Sequence, residues 1–554
     1  MFQDTFEFLE SHLRESSGSV VSDLQKCKSL AKIIKMQRAA QWPPASSANL
    51  PSKYIADQLV ECYVRSMEGI YRILHIPTFK RNYEALWQPH STRDAAFIVQ
   101  VKLVLAIGAT LYDPEFSLRP SAMQWVYEAQ SWLLEPEFKS RLSIQALQTY
   151  LLLLLSRELV GISASMTWIS IGELYRLAIY MGLHRDPAYL PKRTIFAAEM
   201  HRRLWNTILE FSLQSSITSG GPPLMSLKHF DCEAPGNFDD EDLLNEGNAA
   251  KPDIEFTSMS IARELRRTLP LRLCMIKFLN DLGTNGSHEE ALRLDAEFGA
   301  AYERLCHTLK TFKSSSRNSL SLFQILTSEF IMMTYRSALH MPYILPSSPN
   351  LTSVYSRKIA VESSLKIWAA TYSASSLVPQ YSPGETPIAR IDLDRLAASG
   401  GGFFRCAALQ AGLTLVLELK SQLQESNSLI PAILRTDLIA VMEETKAWSL
   451  RSIEAGETNV KGYLATCVFT AHVEGLRRAA NKENLIEMLR KAAQDAMLVC
   501  LPILEAKAGC IGLAGSIDSQ DQGLEMVPNI ADWDFMVRKN QSWTFRMANT
   551  TSDV

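Results

Sequence analysis

The sequence predicts an all-α protein: a large single helical body between a short N-terminal leader and an irregular C-terminal tail. Apolar residues recur at helical spacings of three and four from residue 51 onward, and no sustained alternation of period two occurs. Glycine and proline are scarce, with 25 and 24 residues among 554, whereas an average chain carries about 12% of the two together. These observations argue against a turn-rich β-protein.

Composition excludes several classes of protein. The chain has 56 Lys and Arg against 59 Asp and Glu, a formal charge of −3, so it has no overall attraction for nucleic-acid phosphates. Nine widely spaced cysteines predict reduced thiols in an intracellular protein. Residues 1–15 lack the pattern of a secretory signal. The longest apolar run, residues 150–155, is far shorter than the about 20 residues of a membrane span.

The first predicted element is the leader, residues 1–50. It contains a basic amphipathic stretch followed by a proline-containing linker over residues 42–51. A solvated helix face is the favoured interpretation of the basic residues, and a nuclear-targeting or phosphate-contacting segment is the alternative. The basic residues are Lys26, Lys28, Lys32, Lys35 and Arg38.

Helical patterns then follow one another along the body. Thr78 is predicted to cap a helix that runs to about Trp87. Residues 144–161 are apolar on most sides, which predicts a helix at the centre of the body. Residues 167–182 form the clearest amphipathic pattern and end at a glycine suited to a left-handed C-terminal turn. Thr194 is predicted to begin the next helix.

The second half alternates between helices and irregular segments. Segments 219–254 and 373–399 are predicted to be loops, and residues 511–554 have only weak periodicity. Further helices are predicted over residues 256–278, 289–312, 320–340, 354–372, 403–424, 431–452 and 462–506.

The sequence matches none of the catalytic or cofactor-binding motifs tested. His184, Arg185 and Asp186 match the start of a kinase catalytic loop, but Pro191 stands where the metal-binding Asn is required. The triple glycine 400–402 lacks the lysine of a phosphate-binding loop and is predicted to lead into a helix. The ten histidines show no i,i+4 pair typical of zinc sites. No catalytic, cofactor-binding or metal-binding residue is therefore predicted.

An all-α metal-dependent enzyme such as a terpene cyclase stays open as an alternative. The acidic run 239–242 and the pair Asn280 and Asp281 offer carboxylate and amide oxygens for magnesium. Ligands on one helix must recur every three or four residues, and here Glu289 falls one position late. This spacing disfavours the enzyme.

Several segments form an ordered series of motifs along the chain. The first reads YRILHIPTFKRNYEALW over residues 71–87 and the second WISIGELYRLAIYMGLHRD over residues 168–186. Shorter motifs follow at 199–205, 219–222, 235–240 and 339–342. In this order the segments resemble the regulatory middle homology domain of fungal zinc-cluster transcription factors. The motif positions are His75, Pro77, Phe79, Trp168, Gly182, His184, Arg185, Asp186, Arg202, Arg203, Trp205, Gly220 and Pro222.

Some family positions are substituted. His201 replaces an Arg, Asn206 a Trp, Gly221 an Arg, and Ser212 with Leu213 an Asp-Arg pair. These losses predict that an ion-pair network of the family is reduced in this chain.

The zinc cluster of the family is not recognisable. Its first half requires the pattern C-x₂-C-x₆-C, whereas only Cys27 and Cys62 precede residue 230. We therefore expect no cofactor from this chain, and contact with DNA only weakly or through a partner.

The resemblance implies a regulatory domain over residues 51–345, followed by a helical continuation over 346–510 and a tail over 511–554. The acidic and aromatic residues of 529–537 predict either a short activation segment or, at least as well, a helix docked on the body. The implied function is a nuclear, non-enzymatic regulator of RNA polymerase II transcription, acting on a metabolic or biosynthetic gene set. The implied partners are the transcription machinery, another zinc-cluster regulator or a second copy, without membrane contact. A scaffold that pairs with full-length regulators is a further alternative.

Structural roles are expected for most motif side chains. The two histidines, His75 and His184, are expected to be capping or core hydrogen-bond donors. The arginines Arg202 and Arg203 are expected to form ion pairs or to cap carbonyls, and the tryptophans are expected to lie in the core.

Overall fold

The computed structural model describes residues 18–38, 49–89, 94–134, 142–162, 166–281, 287–314, 320–344, 351–378, 387–424 and 435–510. Over these ranges the chain forms 17 α-helices of ten residues or more and no strand, which confirms the all-α fold class. The helices belong to two compact units: the larger unit contains the described residues within 40–373 and 381–408, and the smaller unit contains those within 1–39, 374–380 and 409–554.

The larger unit contains twelve of the helices and the first turns of another. They are α2 (Lys53–Tyr63), α3 (Ile76–Ala85), α4 (Ala95–Tyr112), α5 (Arg119–Leu134), α6 (Ile144–Val160), α7 (Thr167–Tyr180), α8 (Ile195–Ser219), α9 (Ser260–Asn280), α10 (His288–Ser314), α11 (Leu322–His340), α12 (Leu351–Thr371), α13 (Ile388–Ala398) and the start of α14 (Gly402–Gln424).

The core of the larger unit is built around α4. Its residues 97–111 are all buried, and it packs against α2, α5 and α6. Gly108 permits the closest of these approaches, because a Cβ there would lie 2.0 Å from the carbonyl oxygen of Leu59. Residues 151–156 of α6 are also buried, in agreement with its predicted central position.

Helix ends follow the predicted capping chemistry in two places and differ in one. Gly182 has a φ of 84° and ends α7, and the hydroxyl of Thr194 accepts a hydrogen bond from the N–H of Ala197 at the start of α8. The third expectation, a cap at Thr78, is wrong. Helix α3 begins at Ile76, directly after His75, so Thr78 lies in its first turn. The hydroxyl of Thr78 contacts the ring of His75.

The loop predicted over residues 373–399 contains a helix, α13. Charged residues of α13 interrupt the apolar pattern, yet they form hydrogen bonds with residues that are far away in the sequence. Asp392 accepts two hydrogen bonds from Arg65, at 2.8 and 2.9 Å, and Arg395 donates to the carbonyl oxygen of Leu111 at 2.6 Å. Because these partners are remote in sequence, local periodicity cannot show the helix.

The smaller unit consists of α1 (Gly18–Arg38), the rest of α14, α15 (Thr436–Glu454), α16 (Lys461–Arg477) and α17 (Lys482–Cys510). The single helix predicted over 462–506 is therefore two helices, separated at Ala479, whose φ is 51°. Helix α1 lies within this unit: Val20, Cys27 and Ile34 are buried at intervals of seven residues in a core shared with α16 and α17.

In the part of the chain that the structure describes, two helices are long and apolar enough to cross a membrane by length and composition, Ala95–Tyr112 and residues 402–423 of α14. Inside the protein 83% of the first window and 67% of the second are buried, which is typical of helices that form a core.

Candidate functional site

Two of the family-motif residues, His75 and Arg203, converge on Asp240 in the larger unit. Its carboxylate accepts hydrogen bonds from the guanidinium groups of Arg72 and Arg203, the latter at 2.6 Å, and from the N–H of Ile76 at 2.9 Å. Burial raises the pKa of Asp240, but the two guanidinium groups and the N–H outweigh burial and hold its pKa well below the usual range. We call Arg72, His75, Arg203 and Asp240 the Asp240 cluster.

Backbone geometry places two members of this cluster. Arg72 follows a wide π-helical turn at Val64–Glu68 and takes a left-handed conformation with φ of 53°, which turns the chain towards the motif. The ring of His75 bridges the hydroxyl of Thr78 and the carbonyl oxygen of Asp240, each at 2.8 Å. The predicted structural role of His75 as a buried hydrogen-bonding residue agrees with this geometry.

A second group, the Asp186 cluster, consists of Asp186, Glu199 and Arg202. Arg202 donates two hydrogen bonds to Asp186, at 2.9 and 2.6 Å, and one to Glu199 at 2.6 Å. Asp186 also accepts from the N–H groups of Ala188 and Glu233. Burial raises the pKa of Asp186, but these donors outweigh it and lower the pKa to about 2.

The two clusters tie the segment 231–240 to the helices. Glu199 accepts a hydrogen bond from the N–H of Gly236 at 2.7 Å, while the carbonyl oxygen of His184 accepts from the N–H groups of Asp231 and Cys232. The side chain of Arg185 is exposed, and its Nε lies 3.1 Å from the Oδ2 of Asp231. The arginines Arg202 and Arg203 thus form ion pairs, as predicted, and His184 is held through its backbone.

The two motif tryptophans, Trp168 and Trp205, differ in burial. Trp205 is fully buried and stacks on Tyr175 at 5.4 Å between ring centroids. Trp168 is only half-buried, so its predicted core position is wrong: its ring lies against Gly221, where a Cβ would come within 2.7 Å. Glycine at 221 is therefore matched to Trp168 in this chain.

The remaining motif positions shape the backbone around these side chains. Gly220 ends α8 with a φ of 69°, and the exposed Pro222 follows two residues later. Phe79 is buried and packs against Phe97, while Pro77 occupies the first turn of α3.

The substituted family positions carry hydrogen bonds in place of charges. His201 lies within 3.1 and 2.9 Å of the carbonyl oxygens of Leu183 and Arg185, and burial lowers its pKa. The hydroxyl of Ser212 donates to the carbonyl oxygen of Ile208.

Sequence reasoning missed a buried ion pair next to these clusters. Arg272 of α9 is fully buried and donates two hydrogen bonds of 2.7 Å to Glu210 of α8. A signal was present, because Arg272 falls on the apolar stripe of Leu265, Leu269 and Leu273, where a charge requires a buried partner.

A second missed group joins α10, α11 and α12. Arg336 donates to Asp295 at 2.7 and 3.1 Å, and the hydroxyl of Tyr355 donates to the same carboxylate at 2.7 Å. His340, from the Leu-His-Met-Pro motif, lies 3.2 Å from Asp295 and contacts the hydroxyl of Ser356 at 2.9 Å. This arrangement holds three helices together.

The acidic run considered for magnesium is committed to cations of the chain itself. Asp240 is paired with two arginines, and Lys251 contacts Asp239 and Asp242 at 2.7 and 3.0 Å. These contacts leave the carboxylates engaged in holding the loop.

The chain's cysteines do not fit the six-cysteine, two-zinc cluster of the implied family. Cys27 belongs to the smaller unit and Cys62 to the larger. No group of three or more His, Cys, Asp or Glu side chains among the described residues could hold a metal ion.

A surface cavity of 250 Å³ lies apart from both clusters, between α9 and α10. None of the motif residues lines it. Its walls are formed by Glu264, Arg267, Thr268, Ala301, Arg304, Leu305, His307 and Thr308.

Comparison with known proteins gives a family and several relatives. The model of the fungal specific transcription factor domain matches residues 60–368, more than half of the chain. The chain is 29% identical to Transcription factor opdR of Penicillium oxalicum over 93% of its own length and 67% of that protein. It is 33% identical to Transcription factor lepE of Aspergillus flavus, over 66% of this chain and 45% of the relative.

A third relative is named for a gene cluster. The chain is 27% identical to the Aspyridones cluster regulator apdR of Emericella nidulans, over 76% of this chain and 57% of the relative. The chain thus spans between 45% and 67% of the length of these three relatives.

These findings support a regulator of transcription and not the enzyme alternative. The chain belongs to the family defined by the fungal specific transcription factor domain.

Proposed function

We propose that this chain is a nuclear regulator of RNA polymerase II transcription that controls one biosynthetic gene set. The supporting observation is that two of the relatives are named for single clusters, namely the Aspyridones cluster regulator and the Equisetin cluster transcription factor eqxF of Fusarium heterosporum. The basic face of α1 is compatible with nuclear targeting.

The larger unit serves this function as a regulatory body. The Asp240 and Asp186 clusters fix the segment 231–240 against α3 and α8 through buried ion pairs. An effector or partner controls such a body only by binding two of its states with different affinity.

Contact with DNA would come through a partner in this proposal. The partner is another zinc-cluster regulator or a second copy of this chain, and the transcription machinery is the target. Affinity purification of a tagged chain from the native fungus tests it: recovery of a cluster-bearing regulator or of an untagged second copy supports the pairing, and recovery of the tagged chain alone contradicts it.

The decisive experiment is genetic. Deleting the gene should abolish the coordinated expression of one contiguous biosynthetic gene set, as measured by transcript profiling. Wild-type and Asp239→Asn chains should restore expression, whereas Asp240→Asn should not, because only Asp240 neutralises two buried arginines. A deletion that changes no such set would contradict the proposal.

A further inference from the structure

Helix α1 has one face that the core of the smaller unit does not use. The helix buries Val20, Cys27 and Ile34 against α16 and α17. On a flank of the helix, two exposed lysines are three residues apart, so they share one face. We call this the lysine face; it consists of Lys32 and Lys35.

The charge of α1 is strongly unbalanced. The helix carries four lysines and Arg38 against a single acid, Asp23, which contacts Lys26 at 3.4 Å. Like charges at i,i+3 and i,i+4 repel one another on a helix. A negatively charged segment bound along the lysine face relieves this repulsion.

The chain itself contains a segment of opposite charge. Residues 511–537 include five acids and neither Lys nor Arg. Within them the acidic–aromatic segment, residues 529–537 (NIADWDFMV), carries Asp532 and Asp534 beside Trp533 and Phe535. Charge and apolar surface occur together in this segment.

The end of α17, which precedes the acidic segment in the chain, lies beside the end of α1. The side-chain amide of Gln37, near the end of α1, donates to the carbonyl oxygen of Ala508, near the end of α17, at 3.2 Å. Residues 511–531, which connect α17 to the acids, can span at most about 70 Å. Helix α1, with 21 residues, is about 30 Å long, so the whole lysine face is within reach. Attachment to the same chain also raises the local concentration of the segment.

We propose that the acidic–aromatic segment 529–537 binds the lysine face of α1 within the same chain. Asp532 and Asp534 would pair with Lys32 and Lys35, and Trp533 and Phe535 would lie along the aliphatic parts of the lysine side chains. If the proposed regulatory function holds, this contact withholds the segment from the transcription machinery until a competing partner displaces it.

Hydrogen exchange on the purified full-length chain tests the contact. Amides of residues 529–537 should exchange about tenfold more slowly in the chain than in the free peptide. The slowing should disappear in Lys32→Glu/Lys35→Glu and persist in the matched variant Lys310→Glu/Lys313→Glu on α10, which has the same spacing on an exposed face. It should also weaken when NaCl rises from about 0.05 M to about 0.5 M, because salt screens exposed charges.

Carbodiimide crosslinking locates the contact. It joins carboxylates directly to lysine amines, so links from Asp532 or Asp534 to Lys32 or Lys35 are expected in monomeric protein. A mixture of ¹⁴N- and ¹⁵N-labelled chains shows whether each link lies within one chain. The unchanged melting temperature of Lys32→Glu/Lys35→Glu serves as the folding control, since Lys and Glu have similar helix propensities.

Three results would overturn the proposal. They are exchange equal to that of the free peptide, slowing that survives reversal of the lysines, and links found only between chains of different label. None of these depends on transcription. A reporter gene that stays silent when Lys32→Glu/Lys35→Glu has abolished the intrachain links would therefore count against the proposed function alone.

Discussion

Asp240 neutralises two arginines that have almost no access to water. The side chains of Arg203 and Arg72 are 0% and 6% exposed, and both donate to this one carboxylate. Burying a guanidinium group is strongly unfavourable without a counter-charge. The carboxylate also holds the N–H of Ile76, so one side chain joins three segments of the chain.

Replacing Asp240 with Asn should therefore destabilise the larger unit by about 3–5 kcal/mol, the cost of leaving a buried charge without its partner. The free energy of unfolding, measured by urea titration, gives the comparison. Asp239→Asn is the matched control: its partner Lys251 is partly exposed, so the loss should be at most about 1 kcal/mol. Equal losses in the two variants would contradict the assigned role of Asp240.

Gly221 is a second position where one residue decides the packing. Gly221→Ala should destabilise the larger unit by about 1–3 kcal/mol, because the added Cβ enters the space of a rigid ring. Combining it with Trp168→Ala should remove most of this penalty, which a double-mutant cycle of melting measurements reports. Gly247→Ala, where a Cβ meets nothing within 4 Å, is the control. An additive double mutant would contradict the explanation.

At the scale of elements, the triple glycine 400–402 marks a close approach. The carboxylate of Glu158, at the end of α6, accepts a hydrogen bond from the N–H of Phe403 at 2.6 Å and so caps the start of α14. Gly402 has a φ of 65°, and a Cβ there would lie 1.9 Å from the Cγ of Glu158. The glycines do lead into a helix, as predicted. Gly401 and Gly402 are required because Glu158 occupies the space beside them, whereas a Cβ at Gly400 would meet the carbonyl oxygen of Leu396.

Glu158 should make the stability of the larger unit depend on pH. Burial raises its pKa from 4.5 to about 7, although the N–H of Phe403 acts in the opposite direction. The folded chain therefore holds a proton that the unfolded chain loses above 4.5, so this contribution to stability falls as pH rises towards 7. Glu158→Gln should melt above wild type at pH values above about 7 and close to it near pH 4.5.

Thermal melting across this pH range checks the prediction. Glu303→Gln, at an exposed position of α10, should leave the wild-type pH profile unchanged. A constant difference between Glu158→Gln and wild type at every pH would show that the carboxylate is not the cause.

The contribution of helix α1 to the core of the smaller unit can be tested directly by substitution. Ile34 is 0% exposed in the core of the smaller unit, whereas Met36, two residues on, is 66% exposed. Ile34→Ala should cost about 2–5 kcal/mol of stability in that unit, and Met36→Ala at most about 0.5 kcal/mol. Hydrogen exchange of α16 and α17 measures both. Unchanged protection in Ile34→Ala would mean that α1 does not contribute to this core.

For the whole molecule, net charge predicts the affinity for nucleic acid. With a formal charge of −3, the chain should bind duplex DNA weakly or not at all, since affinity for DNA depends largely on neutralising phosphates. A mobility-shift assay at physiological salt should show no sequence-selective complex at nanomolar protein. Such a complex would contradict the proposal that a partner supplies the contact with DNA.

Much of the architecture was predictable because helix formation follows local patterns. The 3.6-residue periodicity, Gly182 and Thr194 sufficed for α7 and α8, since capping and amphipathicity act within a few residues. The same reasoning failed for α13, where Asp392 and Arg395 interrupt the apolar stripe and find partners far away in the chain.

The sequence by itself determined the all-α class, most helix positions and the order of the family motifs. Only the tertiary structure decided which charges meet. Asp240 lies 168 residues from Arg72 and 37 from Arg203, and no local spacing connects them. Their pairing follows from burial: once the helices pack, water is excluded, and each charge must be neutralised by whichever opposite charge the fold has brought beside it.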